Sequence, residues 1–265
     1  IERDEKPWPN SAEIRIWNLN EAHRDQLAAH HGVPCLLEAG YQDSRALIFE
    51  GMLREAKSEH SGTDWITTVS GGDGELDKDG EPIASKRLQR TWKRGTPCVQ
   101  IVKDFAKAMN VEPGNAAIGG AAAKLTTGVA IAHAFSVDGP ILDELIYFMR
   151  SVGLTWSIQD GAFQVRIAEV PASVGPLISS LTGLIGRVTS EPRKILRENS
   201  ITREEETTEW EMHAGTCLLL PGLRPGYGFA LESKAVTGTQ LCTAVNHIGD
   251  THGPEWHTNW ESRNV

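Results

Sequence analysis

A segment near the start of this chain returns in altered form at its end, and that repeat limits the fold more than any other feature. The early copy runs Glu38-Ala39-Gly40-Tyr41, then Leu47-Ile48-Phe49-Glu50-Gly51, then Gly62-Thr63-Asp64-Trp65. The late copy runs Arg224-Pro225-Gly226-Tyr227, then Phe229-Ala230-Leu231-Glu232 and Gly238, and closes with Gly253-Pro254-Glu255-Trp256. In each copy a Gly-Tyr is expected to open a strand pair, a glycine (Gly51 or Gly238) to turn it, and a Gly-x-x-Trp to begin the closing strand. The structural positions this pattern singles out are Gly40, Tyr41, Gly51 and Trp65, and then Gly226, Tyr227, Gly238, Gly249, Asp250, Gly253 and Trp256. Two related β-modules around a different middle suit an assembly protein built from duplicated barrels better than a single catalytic core.

At 265 residues the chain has room for two to four small domains. No run of about 18 apolar residues marks a membrane span. The opening Ile1-Glu2-Arg3-Asp4-Glu5-Lys6 contains no apolar signal core, so no secretory targeting is expected from it. A net charge of −9 argues against a nucleic-acid-binding surface, which needs clustered Lys and Arg. The one dense basic run, Arg87, Arg90, Lys93 and Arg94, reads as a solvated edge before a helix. Cys35, Cys98, Cys217 and Cys242 are far apart and form no C-x-x-C pair of the kind zinc sites use, so buried free thiols are expected.

Four domains follow from the periodicities. Residues 1–75 read as a first β-barrel module, part of which later strands can complete: Ile14, Ile16 and Leu19 alternate with polar residues, and Gly71-Gly72-Asp73-Gly74 reads as a polar loop closing the module. Residues 76–125 read as a helical α/β unit, with Cys98, Ile101, Val102, Phe105 and Met109 on one helical face and a Gly/Ala-rich loop at Ala116 to Ala123. Residues 126–172 read as a helix followed by a β-hairpin turning at Asp160-Gly161. Residues 173–265 form the second β-barrel module, with the charged stretch Arg193 to Glu209 as a solvated loop or strand edge. The fold class expected is mainly β with α+β insertions: two tube-like antiparallel barrels and two small helix/hairpin domains.

The motifs carry little chemistry. His247-Ile248-Gly249-Asp250-Thr251-His252-Gly253 contains the Gly-Asp-x-His-Gly string of metallophosphoesterases, but the companion ligands of a two-metal site are missing, so a loop between two strands is the plainer reading. The Gly71 to Gly74 stretch lacks the Gly-Lys-Ser/Thr that would cradle phosphate. Ser136, Ser179 and Ser180 lack a nucleophile elbow. No catalytic residue, cofactor or metal ligand is assigned.

The order of modules resembles the baseplate hub proteins of contractile-tailed bacteriophages, related to phage late-control proteins and to the hub part of type VI secretion spikes. Four stretches carry the resemblance: Ile14 to Asn20, Ala39-Gly40-Tyr41 through Gly51, the helical units at Thr91 to Asn110 and Ser136 to Ile167, and Leu223 through Trp256. The last is the most specific, because the family's final hairpin commonly carries a His-x-Gly-Asp-x-x-Gly-x-x-Trp string. The resemblance implies a homotrimer whose six barrels form a pseudo-sixfold ring, fitting a sixfold tail tube to a threefold central spike in the virion baseplate. It implies as partners the tail tube protein, a separate central spike protein, the tape-measure protein and baseplate wedge proteins. DNA would pass through without specific binding and no membrane would be involved; if three chains form a ring, the net charge of −9 on each leads to the expectation of an acidic inner wall. The competing readings are a peptidoglycan-binding module, which would expose an aromatic platform near Trp156, and a tail-associated cell-wall hydrolase.

Overall fold

The structure, a computed structural model, describes residues 1–5, 9–42, 44–112, 114, 130–167, 170–198 and 205–265. The Ala116 to Ala123 stretch lies outside the described residues. The first module contains β1 (Glu2–Asp4), β2 (Asn10–Trp17), helix α1 (Glu21–Ala29), β3 (Pro34–Ala39), β4 (Ala46–Ser61) and β5 (Asp64–Asp73). Asn20 caps α1, its side chain accepting from the His23 N–H. The middle holds β6 (Arg87–Trp92), α2 (Cys98–Met109), β7 (Phe135–Pro140), α3 (Ile141–Ser151), β8 (Leu154–Gln159) and β9 (Ala162–Ile167). The last module holds β10 (Val174–Ser179), β11 (Leu184–Glu198), β12 (Glu205–Leu218), β13 (Gly228–Glu232), β14 (Thr237–Gly249) and β15 (Trp256–Asn264). The stretch expected as a solvated loop or edge, Arg193 to Glu209, is the paired backbone of β11 and β12 wherever it is described.

The chain is mainly β, but among the described residues its strands do not close into two barrels. They form one open 11-stranded sheet in the order β11-β12-β15-β14-β1-β2-β5-β4-β3, with β13 also on β14 and β10 on β13. The physical reason is β1. Its three residues pair with β14 on one side and meet β2 on the other, so hydrogen-bonding edges that could have closed each module instead join the two.

Between the modules lies one hydrophobic cluster. The apolar faces of α2 and α3 meet there with Trp92, Val137, Trp156, Phe163 and Val165. The helical unit and the helix-plus-hairpin unit therefore share a core. Pro97 precedes α2, and Asn110 ends it in the left-handed conformation. Asp160 and Gly161 both have positive φ, as a two-residue hairpin turn requires.

The two β-modules repeat each other residue by residue in register. In the first hairpin, Leu53 faces Gly71, Ala56 faces Val69, Ser58 faces Thr67 and His60 faces Trp65. In the second, Cys242 faces Ser262, Val245 faces Trp260, His247 faces Thr258 and Gly249 faces Trp256. A register shift falls at the same place in both, between Leu53 and Glu55 and between Cys242 and Ala244. The buried positions coincide: Leu53 with Cys242, Ala56 with Val245, Thr67 with Thr258, and Val69 with Trp260. Even a cross-strand polar pair recurs, Ser58 with Thr67 at 3.0 Å and His247 with Thr258 at 2.8 Å. The flanking strands follow, since β2 pairs with β5 as β12 pairs with β15, so that Ile14 opposite Val69 matches Gly215 opposite Trp260.

This register corrects the repeat read from sequence at two points. Gly226-Tyr227 is equivalent to Gly32-Val33, not to Gly40-Tyr41. Gly32 and Gly226 both have positive φ, and each donates its N–H to the matched core strand, to Leu53 and to Cys242, at 2.8 Å. Gly40-Tyr41 instead follows β3, the strand equivalent to β13. Gly51 turns nothing either, since it lies inside β4, where a Cβ would come 2.4 Å from the Gly72 carbonyl oxygen and 2.7 Å from the Phe49 ring. Gly238 sits at the start of β14 opposite Leu231, at φ +136°.

Trp65 and Trp256 share a register position but are only half-buried, whereas Trp260 is 2% exposed. Trp260→Ala is expected to destabilise the protein by about 3–5 kcal/mol, and Trp256→Ala by clearly less. Urea unfolding followed by circular dichroism measures both.

Candidate functional site

The described residues concentrate their buried charge where the three parts of the chain meet. Asp73 ends β5 at 1% exposure. Its carboxylate accepts the backbone N–H of Asp160 at 2.7 Å and of Gly161 at 2.8 Å, and the Asn10 side-chain amide at 3.2 Å. The hairpin turn of the middle unit is thus held by the last residue of the first module. Asp160 binds the Arg3 guanidinium of β1 and, at 2.9 Å, that of Arg224 from the second module. Arg166 of β9 pairs with Glu5, just after β1. Asp160 and Glu5 each meet a guanidinium, while Asp73 is held by N–H donors alone, the two ways buried carboxylates are satisfied.

Burial pushes the Asp73 carboxyl up to about 6, against the hydrogen bonds that pull it down. His247, buried in β14, is pushed down to about 3, mainly by burial and then by the nearby Arg3. The backbone nitrogen of Ile1 donates to the His247 carbonyl at 2.9 Å and the His247 N–H donates to the Ile1 carbonyl at 2.9 Å, which closes β1 onto β14.

Sequence reasoning missed this joint. Gly71-Gly72-Asp73 is no loop but the buried end of β5. Its glycines make room for neighbours: a Cβ on Gly71 would come 2.9 Å from the Phe49 ring, and one on Gly72 would strike the Arg54 guanidinium. An aspartate after two glycines was the available signal, since small residues admit close approach to whatever the carboxylate holds.

The Gly-Asp-x-His-Gly string forms the β14–β15 connection. Asp250 accepts the His252 N–H at 2.8 Å, and that bond and one from the Gly253 N–H hold its carboxyl below the usual range. Gly253 leaves space for the Asp250 carboxylate, and Gly249 leaves space for the Trp256 ring, which a Cβ would meet at 2.7 Å. Trp65, at the matched position, packs edge-on to His60 with Arg24 over its ring at 4.2 Å. His247 turns inward to Thr258, while Asp250 and His252 are exposed. Gly40 lies where a Cβ would meet the Ser44 carbonyl oxygen at 2.3 Å, and Tyr41 is 41% exposed. Among the described residues no three His, Cys, Asp or Glu side chains gather to hold a metal. Trp156 is 4% exposed in the middle core, so it forms no aromatic platform. The four cysteines are free thiols, three of them buried. No helix among the described residues is long and apolar enough to cross a membrane.

On the face opposite the second module's core, an open trough of about 650 Å³ crosses β11, β12, β15, β14, β1 and β2. Glu2, Asp4, Arg187, Asn246, Asn259 and Glu261 line much of it.

No protein-family model matches the chain, and no curated protein matches it in sequence. Solved structures share its fold. The 43 kDa tail protein of prophage MuSo2 from Shewanella oneidensis aligns over 99% of this chain and 92% of its own, with TM-score 0.61 and 8% identity. A tail protein from Neisseria meningitidis MC58 aligns over 99% and 90%, with TM-score 0.61 and 11% identity. An E. coli type VI secretion system component, described as structurally similar to the T4 bacteriophage tail proteins gp27 and gp5, aligns over 100% and 72%, with TM-score 0.57 and 8% identity. The likeness is one of fold, and it extends over both modules and the middle unit.

The joint titrates in two opposed ways. Asp73, raised in the folded state, contributes stability that is full below about pH 4 and is lost as pH rises through about 6, worth about 3 kcal/mol. His247, depressed in the folded state, contributes stability present above pH 6.5 and lost as pH falls toward about 3. Urea unfolding between pH 3.5 and 7.5 is therefore expected to show Asp73→Asn more acid-sensitive than the parent and His247→Gln less so.

Proposed function

We propose that this chain is a structural hub subunit of a phage tail. Three copies form a ring in which six β-modules meet the sixfold tail tube, while the middle units keep the threefold symmetry of a central spike. The observation that carries this reading is the repeat of one strand register in two modules of a single chain, because duplication lets three chains supply six like positions. The full-length fold likeness to tail proteins supports it. Its partners are the tail tube protein, the spike protein, the tape-measure protein and baseplate wedge proteins. The open trough carries a small acidic excess, Glu2, Asp4 and Glu261 against Arg3 and Arg187, which suits a conduit wall past which DNA slides without adhering. Nothing in this reading calls for catalysis.

Light scattering on the purified protein is expected to give about three times the 29.0 kDa chain mass, and co-expression with tube and spike proteins is expected to recover all three together. A species that stays monomeric alone and with those partners overturns the reading.

A further inference from the structure

The matched registers also say how one copy could join the next. Within the chain, the outer edge of β14 just past its register shift receives β1, with Glu2 opposite Asn246, Arg3 opposite Val245 and Asp4 opposite Ala244. The equivalent edge in the first module is β4 at Glu55, Ala56 and Lys57. Among the described residues no strand pairs with it there, since β3 ends its pairing at Met52. The strand equivalent to β1 is β11, because Glu2 faces Ser11 as Glu191 faces the matched Met212. Among the described residues β11 pairs only with β12 and leaves its other edge open.

We propose that a second copy of this chain docks by repeating the internal junction between molecules: β11 of one copy runs antiparallel along β4 of the next. The register carried over from β1 and β14 sets Glu191 opposite Lys57, Pro192 opposite Ala56, and Arg193 opposite Glu55. The side chains at both ends of this pairing are of opposite charge, and Glu55, Lys57, Glu191, Pro192 and Arg193 are all exposed. Among the described residues Lys57 pairs with Glu55 at 2.9 Å and Arg193 with Glu261 at 3.2 Å, exposed pairs that can be exchanged. Pro192 has no N–H and offers the ladder only its carbonyl, so this edge is blunted against indiscriminate strand pairing and favours a partner matched in charge. The contact is head-to-tail, and with the rotation of a threefold ring its repetition makes internal and intermolecular junctions alternate.

This proposal rests on the ring reading, and its test separates the two. Chains carrying Lys57→Cys are mixed with chains carrying Glu191→Cys and oxidised gently, with mass measured in parallel. Disulfide-linked pairs are expected from the mixture and not from either variant alone. The double variant Glu55→Lys/Lys57→Glu is expected to weaken association on the order of tenfold, and adding Glu191→Lys/Arg193→Glu to it is expected to restore assembly. A trimer that gives no cross-link and ignores the charge reversal overturns this junction while leaving the ring intact. A parent chain that remains monomeric at every concentration, alone and with tube and spike proteins, overturns both.

Discussion

The architecture depends on one carboxylate receiving two backbone N–H groups. Asp73 closes the first module, and the Asp160-Gly161 turn belongs to the middle unit, so this contact fixes one part of the chain on another. The donors are backbone groups of a tight turn, already oriented, and little side-chain freedom is lost in making the bonds. Asp160 in turn takes guanidinium groups from β1 and from the second module. Removing either aspartate would leave buried donors or an unpaired cation, which costs far more than the pair contributes. Around this point β1 lies between the modules and makes one sheet of them.

The repeated hairpins show how much sequence can change while register does not. The first module places Ile14 opposite Val69, two medium side chains; the second places Gly215 opposite Trp260, the smallest and the largest. A Cβ on Gly215 would come within 2.5 Å of the Trp260 ring, so the indole fills the volume the glycine gives up. Total volume is roughly kept while its division between strands is not, the kind of exchange a packed core tolerates. What persists is backbone information: the register shift past Leu53 and Cys242, the left-handed glycine at Gly32 and Gly226, and the buried threonine at Thr67 and Thr258.

That persistence explains what was legible in the sequence. The mainly β class, the Asp160-Gly161 turn and the two amphipathic helices rest on local periodicity and turn chemistry, which sequence states directly. The repeat was visible through Gly62-Thr63-Asp64-Trp65 and Gly253-Pro254-Glu255-Trp256, whose tryptophans share a register position. It was misaligned further upstream, where two Gly-Tyr pairs matched by letter but not by φ and hydrogen bonding. Asp73 and Arg3 were hidden because each acts through partners more than sixty residues away, and no spacing rule reaches that far. Barrel closure was overread for a related reason: strand patterns reveal faces, but which edges meet is decided by β1, a strand of three residues.

Duplication alone would make the junction inside the chain and a junction between chains alike. The structure breaks that likeness where the modules' outer strands differ. β1 is short and held by Arg3 on Asp160, whereas β11 is long and carries a proline where β1 carries the arginine. One strand is therefore committed inside the chain, and its equivalent stays at an open edge. The middle unit, inserted between β5 and β10, has no counterpart among the other described residues, so each pair of modules keeps a marker of its own order. Equal registers allow like contacts to repeat, and unequal strand ends fix which contact is internal and which remains open for another molecule.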